Sequence, residues 1–220
     1  MNRFLAGVSA AALGAGLMVA SSAYASFSAS AVTDLNIRQG PGPQFPVVGV
    51  IDAQQSATVI GCVENSKWCE VTHAGTTGWV YSDYLITDVG GQNTAIAQLP
   101  ATAGVPTVTY DDRQATNATV GAAGGAITGA LIAGPVGAAV GGVVGAGLGA
   151  AVTPPEQVRT YVTEHRVEPV YLDGEVVVGA KVPQSVALQP VPDYQYHYVY
   201  LNGQPVLVDP QTRAIVHVYR

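Results

Sequence analysis

Catalysis needs a positioned nucleophile, base or metal, and this 220-residue chain is poor in residues that supply them. It contains no Gly-x-Ser-x-Gly elbow, no P-loop and no His-Glu-x-x-His pair. The four histidines, His73, His165, His197 and His217, stand far apart and none has a second ligand at metal spacing, so they read as strand-surface histidines. Asp111, Asp112, Glu156, Asp173, Asp193 and Asp209 border turns or linkers, where solvated acids are common. Two residues have a sharper reading. In Cys62-Val63-Glu64-Asn65-Ser66-Lys67-Trp68-Cys69, a hairpin centred on Asn65-Ser66 makes Cys62 and Cys69 direct cross-strand neighbours. A four-residue loop, Glu64 to Lys67, puts them at a non-hydrogen-bonded site with Cα atoms about 4.5 Å apart. A two-residue turn puts them at the wider hydrogen-bonded spacing, and a disulfide suits either. Neither cysteine sits at a strand-to-helix elbow, so the chain reads as non-catalytic, with no cofactor and no metal.

The elements that position these residues follow from composition. Met1-Asn2-Arg3, an apolar run from Phe4 to Ala20 and Ala23-Tyr24-Ala25 read as a secretory signal peptide over residues 1–25, followed by a mature chain starting at Ser26 in an oxidising, periplasmic or envelope compartment. Removing it takes away Arg3 and no acid, so the formal charge moves from −6 to −7. Without clustered Lys and Arg, nucleic acid is excluded as a partner. The 26 glycines, 14 prolines and 11% charged residues argue against one uniform core.

Residues 26–87 carry short apolar runs between turn signals: Leu35 to Arg38, Phe45 to Ile51, Ala57 to Val63, Trp68 to His73 and Gly78 to Leu85. Five short strands in so small a span predict a barrel. Gly40-Pro41-Gly42-Pro43 combines fixed proline φ with permissive glycines and must be a loop. The run Leu35-Asn36-Ile37-Arg38-Gln39-Gly40-Pro41-Gly42, Trp68 with Val71, then Gly78-Trp79-Val80 and Tyr84-Leu85 resemble the bacterial SH3 (SH3b) family. The resemblance implies a compact SH3-like β-barrel used for attachment or targeting, often toward peptidoglycan or its peptides. Trp68, Tyr81 and Tyr84 are then the natural ligand surface, with Trp79 in the barrel core.

Residues 88–118 read as a linker. From Gln114 to Pro155 there is no charged residue, and small residues recur every four positions at Gly121, Gly125, Gly129, Ala133, Gly137, Gly141, Gly145 and Gly149. On a helix that spacing forms one stripe allowing close backbone approach, and the pattern is similar to bacterial glycine-zipper segments. Pro135 divides residues 119–152 into a helical hairpin suited to self-association or membrane contact, with a flexible Gly/Ala-rich linker as the alternative reading.

Residues 154–220 predict a small β-rich domain, with strands at Val158 to Val167, Val170 to Leu172, Val176 to Val178, Tyr196 to Leu201, Val206 to Val208 and Ala214 to Tyr219. Tyr171-Leu172-Asp173-Gly174-Glu175 is echoed 29 residues later by Tyr200-Leu201-Asn202-Gly203-Gln204. Asp-Gly and Asn-Gly between β-formers predict two hairpins. Tyr194, Tyr196, Tyr198 and Tyr200 alternate onto one face of a strand, most often to pack a neighbouring layer. The Val170 to Gly179 stretch, Val182-Pro183, Val191-Pro192-Asp193-Tyr194 and Val206-Leu207-Val208-Asp209-Pro210 resemble the family named domain of unknown function 1236, met in exported proteins of alphaproteobacteria. That resemblance implies export and a compact β-rich tail, and no established chemistry. The chain as a whole is expected to be mainly β: an envelope protein binding peptidoglycan or a wall-associated partner, or alternatively an accessory docking subunit of an envelope enzyme.

Overall fold

A computed structural model describes residues 27–99, 103–110 and 152–220. The expected signal peptide and most of the glycine-zipper segment lie outside the described residues. Nine strands build the first sheet: β1 (Phe27–Ala31), β2 (Leu35–Arg38), β3 (Val47–Ile51), β4 (Ser56–Val63), β5 (Trp68–His73), β6 (Thr76–Tyr81), β7 (Leu85–Val89), β8 (Gln92–Ala95) and β9 (Thr107–Val108). Their order is β3-β2-β6-β5-β4-β1-β7-β8, with β9 parallel to β4. The five strands read from the sequence correspond to β2 to β6. Period-2 alternation is plainest in β4, where Ala57, Val59 and Gly61 face inward between exposed Ser56, Thr58 and Ile60. Ala74 and Gly75, both at positive φ, close the β5–β6 hairpin, the backbone a two-residue primed turn demands.

Two glycines are fixed by close approach. A Cβ on Gly78 would stand 2.6 Å from the Arg38 carbonyl oxygen and 2.6 Å from Ile37 Cγ2, so only glycine lets β6 cross β2 where Arg38 opposes Trp79. A Cβ on Gly61 would stand 2.6 Å from Val108 Cγ1 and 2.9 Å from the Pro106 carbonyl oxygen, which clears the path for β9. The stretch read as a linker, residues 88–118, is therefore structured in its described part. It supplies β8, a 3-10 turn at Ile96–Gln98, and the strap of residues 103–110 that carries β9. Weak hydrophobicity hid these elements, since β8 is Gln-Asn-Thr-Ala and is held by pairing with β7.

The C-terminal part contains helix α1 (Glu156–Glu164) and a second sheet in the order β10 (Gln189–Pro190), β11 (His197–Leu201), β12 (Gln204–Val208) and β13 (Ile215–Val218). The helix corrects the expected strand at Val158 to Val167. Val158, Tyr161 and Val162 fall at helical spacing after Pro154-Pro155, and tertiary burial of Val158 and Val162 outweighs the β-branched composition. Those valines pack on Tyr198 and Tyr200, with Tyr194 and Tyr196 partly buried in the same cluster. The Tyr198 hydroxyl donates to the His165 carbonyl oxygen at 2.7 Å and that of Tyr200 to the Val162 carbonyl oxygen at 2.9 Å. The alternating tyrosines thus pack a neighbouring layer, although the strand itself begins only at His197.

Of the two expected hairpins, one forms. Asn202 and Gly203, both at positive φ, join β11 to β12. Around Asp173-Gly174 only the glycine has positive φ, and Val170 makes an isolated parallel bridge to Leu201 instead of starting a hairpin. The echoed pentads lie side by side: Val170 N–H donates to the Tyr200 carbonyl, and Leu172 N–H donates to Asn202 Oδ1 at 2.8 Å. Residues 176–178 are likewise not a strand, yet Val176 and Val177 are fully buried. One apolar core joins Leu35, Ile37, Trp79 and Tyr84 of the barrel to Leu172, Val176, Val177 and Val182 of the C-terminal part.

Gly78→Ala is expected to lower stability by about 1–3 kcal/mol, because the added methyl must push β2 and β6 apart. Urea denaturation of the purified protein measures it. A midpoint equal to wild type would show that the crossing tolerates a Cβ.

Candidate functional site

The cysteine pairing is present. Cys62 and Cys69 are register partners joined by a disulfide with Cα atoms 3.9 Å apart, and the loop between strands is Glu64 to Lys67. Cys62 N–H points away from β5 to the Pro106 carbonyl oxygen at 2.8 Å, so the pair occupies a non-hydrogen-bonded site. Asn65 at φ 57° and Ser66 Oγ, which accepts from Trp68 N–H at 3.2 Å, shape the turn.

Beside this hairpin runs an aromatic ladder. Trp68 meets Tyr81 edge-on at 5.4 Å between ring centroids, and Tyr81 lies 6.2 Å from Tyr84. Lys67 sits over the Tyr81 ring at 5.6 Å and bridges to Asp83 at 2.8 Å. The structure thus brings all three expected ligand-binding residues together, but it buries them: Trp68 is 5% exposed, Tyr81 6% and Tyr84 2%. They are an interior surface rather than an open groove, and they belong to one core with Leu172, Val176 and Val177 of the C-terminal part. Burial first, then the charges of Asp173 and Asp83, hold the Tyr81 phenol above its ordinary pKa. For Tyr84 burial again leads, followed by Asp83 and Glu175. Trp79, expected in the core, is buried too, and Tyr110 from the strap meets it edge-on at 5.3 Å and Phe45 at 6.1 Å.

What the sequence reading missed lies next to the ladder. Arg38 and Glu175 form an ion pair with no solvent contact beyond 1% on the arginine side chain. Arg38 Nε donates to Glu175 Oε2 at 2.7 Å and Nη2 to Oε1 at 2.6 Å, a bidentate fork. Its Nη1 donates to the carbonyl oxygens of Phe45, Pro43 and Asn202 at 2.8, 3.1 and 3.2 Å. Glu175 Oε1 accepts further bonds from Asn36 Nδ2 at 3.1 Å and Val176 N–H at 2.7 Å. Asn36 Nδ2 donates also to Gln204 Oε1 at 2.7 Å, and Asn36 Oδ1 accepts from Arg220 Nε at 3.2 Å. The last residues of the two echoed pentads, Glu175 and Gln204, therefore converge on one asparagine of β2. The echo was the available signal: it placed an acid and an amide at equivalent positions in an apolar setting, with nothing nearby in sequence to pair them.

The remaining chemistry-bearing groups are separate. His73 Nδ1 lies 2.9 Å from the Ser56 carbonyl oxygen, and His165 stacks on Tyr161 at 4.0 Å. Among the described residues no three of His, Cys, Asp and Glu come together as metal ligands, and no helix is long and apolar enough to cross a membrane. An open cleft of about 270 Å³ lies beside the disulfide hairpin, lined by Asn65, Ser66, Ile96, Ala97, Val105 and Thr107 among others.

Comparison with known proteins finds one family match in each half of the chain. Residues 33–86 match the family model of the bacterial SH3 domain, and residues 161–220 match that of a domain of unknown function, DUF1236. The chain is also 31% identical over 90 residues to YrvJ of Bacillus subtilis (strain 168), a protein named as an N-acetylmuramoyl-L-alanine amidase. That match covers 41% of this chain and 15% of the relative.

Two outcomes follow from this geometry. Arg38→Met should cost about 3–5 kcal/mol by leaving Glu175 buried and unpaired, and the double variant R38M/E175L should regain most of it. Denaturation midpoints of the three proteins form the check, and equal losses in the single and double variants would remove the ion pair as the cause. His217 supplies a pH dependence. Burial first, and then the charges of Arg220 and Arg159, depress its pKa against a hydrogen bond from its protonated Nδ1 to the Val152 carbonyl oxygen, which raises it. A histidine with a depressed folded value contributes stability that is full above its unfolded value of 6.5 and falls with acidification. His217→Gln should flatten the decline of the urea midpoint between about pH 7 and about pH 5, and an unchanged slope would assign it elsewhere.

Proposed function

We propose that this protein is a non-catalytic envelope protein whose barrel holds it at peptidoglycan or at a wall-associated partner. The observation that carries this is the disulfide-tied barrel over the stretch that matches the bacterial SH3 domain. An intramolecular disulfide suits an extracytoplasmic compartment, and periplasmic residence is part of the proposal. The partial likeness to a protein named as an amidase supports a cell-wall association. With Trp68, Tyr81 and Tyr84 covered, the wall ligand's seat is the open cleft beside the disulfide hairpin. Its polar Asn65, Ser66 and Thr107 and apolar Ile96, Leu99 and Val105 suit a peptide stem. So small and open a cleft supports affinity in the micromolar to millimolar range, about 4 to 8 kcal/mol.

The docking-subunit alternative has its own support. The barrel already uses its aromatic face to hold a protein segment, the C-terminal part of the same chain, and a surface suited to one polypeptide suits others.

Full-length mature protein should co-sediment with purified peptidoglycan without releasing soluble fragments. Ala97→Trp, which fills the cleft from an exposed position, should weaken binding about tenfold. Folded protein that stays in the supernatant at millimolar concentration would end the wall-binding reading and leave protein docking in its place.

A further inference from the structure

We propose that the barrel face formed by Asn36, Arg38, Tyr81 and Tyr84 is a receptor for an acidic Gly-Glu turn, and that the chain fills it in cis with its own segment Leu172–Val177. The inference stands apart from wall binding, which is placed at a different cleft. Its basis is the form of the contact. A carboxylate is gripped by a planar guanidinium through two parallel hydrogen bonds of 2.7 and 2.6 Å, with a third from the Asn36 amide at 3.1 Å. The guanidinium is itself held by the carbonyls of Pro43 and Phe45, which belong to the barrel's own β2–β3 loop, and by that of Asn202 in the C-terminal part. The carboxylate comes from a segment more than 130 residues away, at a sequence separation of 137. Around it Leu172, Val176 and Val177 are 0–1% exposed in the core that contains Tyr81 and Tyr84. A charged centre ringed by desolvated apolar and aromatic groups is the anatomy of a recognition hot spot.

If the contact is receptor and ligand rather than mere chain continuity, it persists after the connection is cut. A protease site inserted between Gly134 and Pro135 of the full-length mature chain allows this test. Complete cleavage should leave both fragments in one peak on size exclusion, and Glu175→Gln should weaken their association at least about 100-fold, so that cleaved variant separates at micromolar concentration. Nitration mapped by mass spectrometry supplies a readout that needs no variant to fold. Tyr81 and Tyr84 should react far more slowly than Tyr196 in the intact chain and in the cleaved complex. Separation of the wild-type fragments, an unchanged affinity in the Glu175→Gln variant, or nitration of Tyr81 and Tyr84 at the rate of Tyr196 would each overturn the proposal.

Discussion

The arrangement of the molecule turns on one dry ion pair. Arg38 ends the second strand of the barrel and Glu175 follows the first glycine turn of the C-terminal part, and neither has water to fall back on. Desolvating two charges costs several kcal/mol each, and the attraction between them offsets this only when geometry is good and the remaining hydrogen-bonding capacity is met. Here the guanidinium reaches a carboxylate and three carbonyls, and the carboxylate takes an amide and a backbone N–H besides. Such a network has a narrow set of solutions. It fixes where the tail lies on the barrel, and so determines that the aromatic ladder is interior.

Around that fixed point, small residues and short links do the rest. Glycine at 78 lets two barrel strands cross next to Arg38, and glycine at 61 lets the strap lie on β4 beside the disulfide. Arg213 plays an analogous part at the far side of the C-terminal sheet, where its guanidinium donates to the carbonyls of Val182, Pro183 and Val186 and ties an irregular segment to the turn before β13. In both halves a buried or half-buried arginine replaces regular secondary structure as the organiser of loop carbonyls.

The sequence was readable where local rules decide the outcome. Alternation and turn chemistry marked β2 to β6, and hairpin spacing put Cys62 opposite Cys69, because both are settled within a few residues. Reading failed where distant contacts decide. Val158 to Val167 is rich in β-branched residues, but the tyrosine face of β11 selects the helical register of Val158 and Val162. Asp173-Gly174 carries a hairpin signal, but Glu175 is drawn into the barrel and the following valines are buried without a strand partner. Tyr81 and Tyr84 had the character of surface aromatics, yet they lie in one core with Leu172, Val176 and Val177 of the tail. An exposed-looking aromatic cannot be told from a covered one until the covering element is placed.

The strap and the last strand have a mechanical consequence. Tyr110 of the strap meets Phe45 and Trp79 edge-on, and Val152 donates its N–H to the Val216 carbonyl at 3.1 Å. A pull applied at Tyr110 is thus felt by the first sheet through Trp79 on β6, and one applied at Val152 by the second sheet through Val216 on β13.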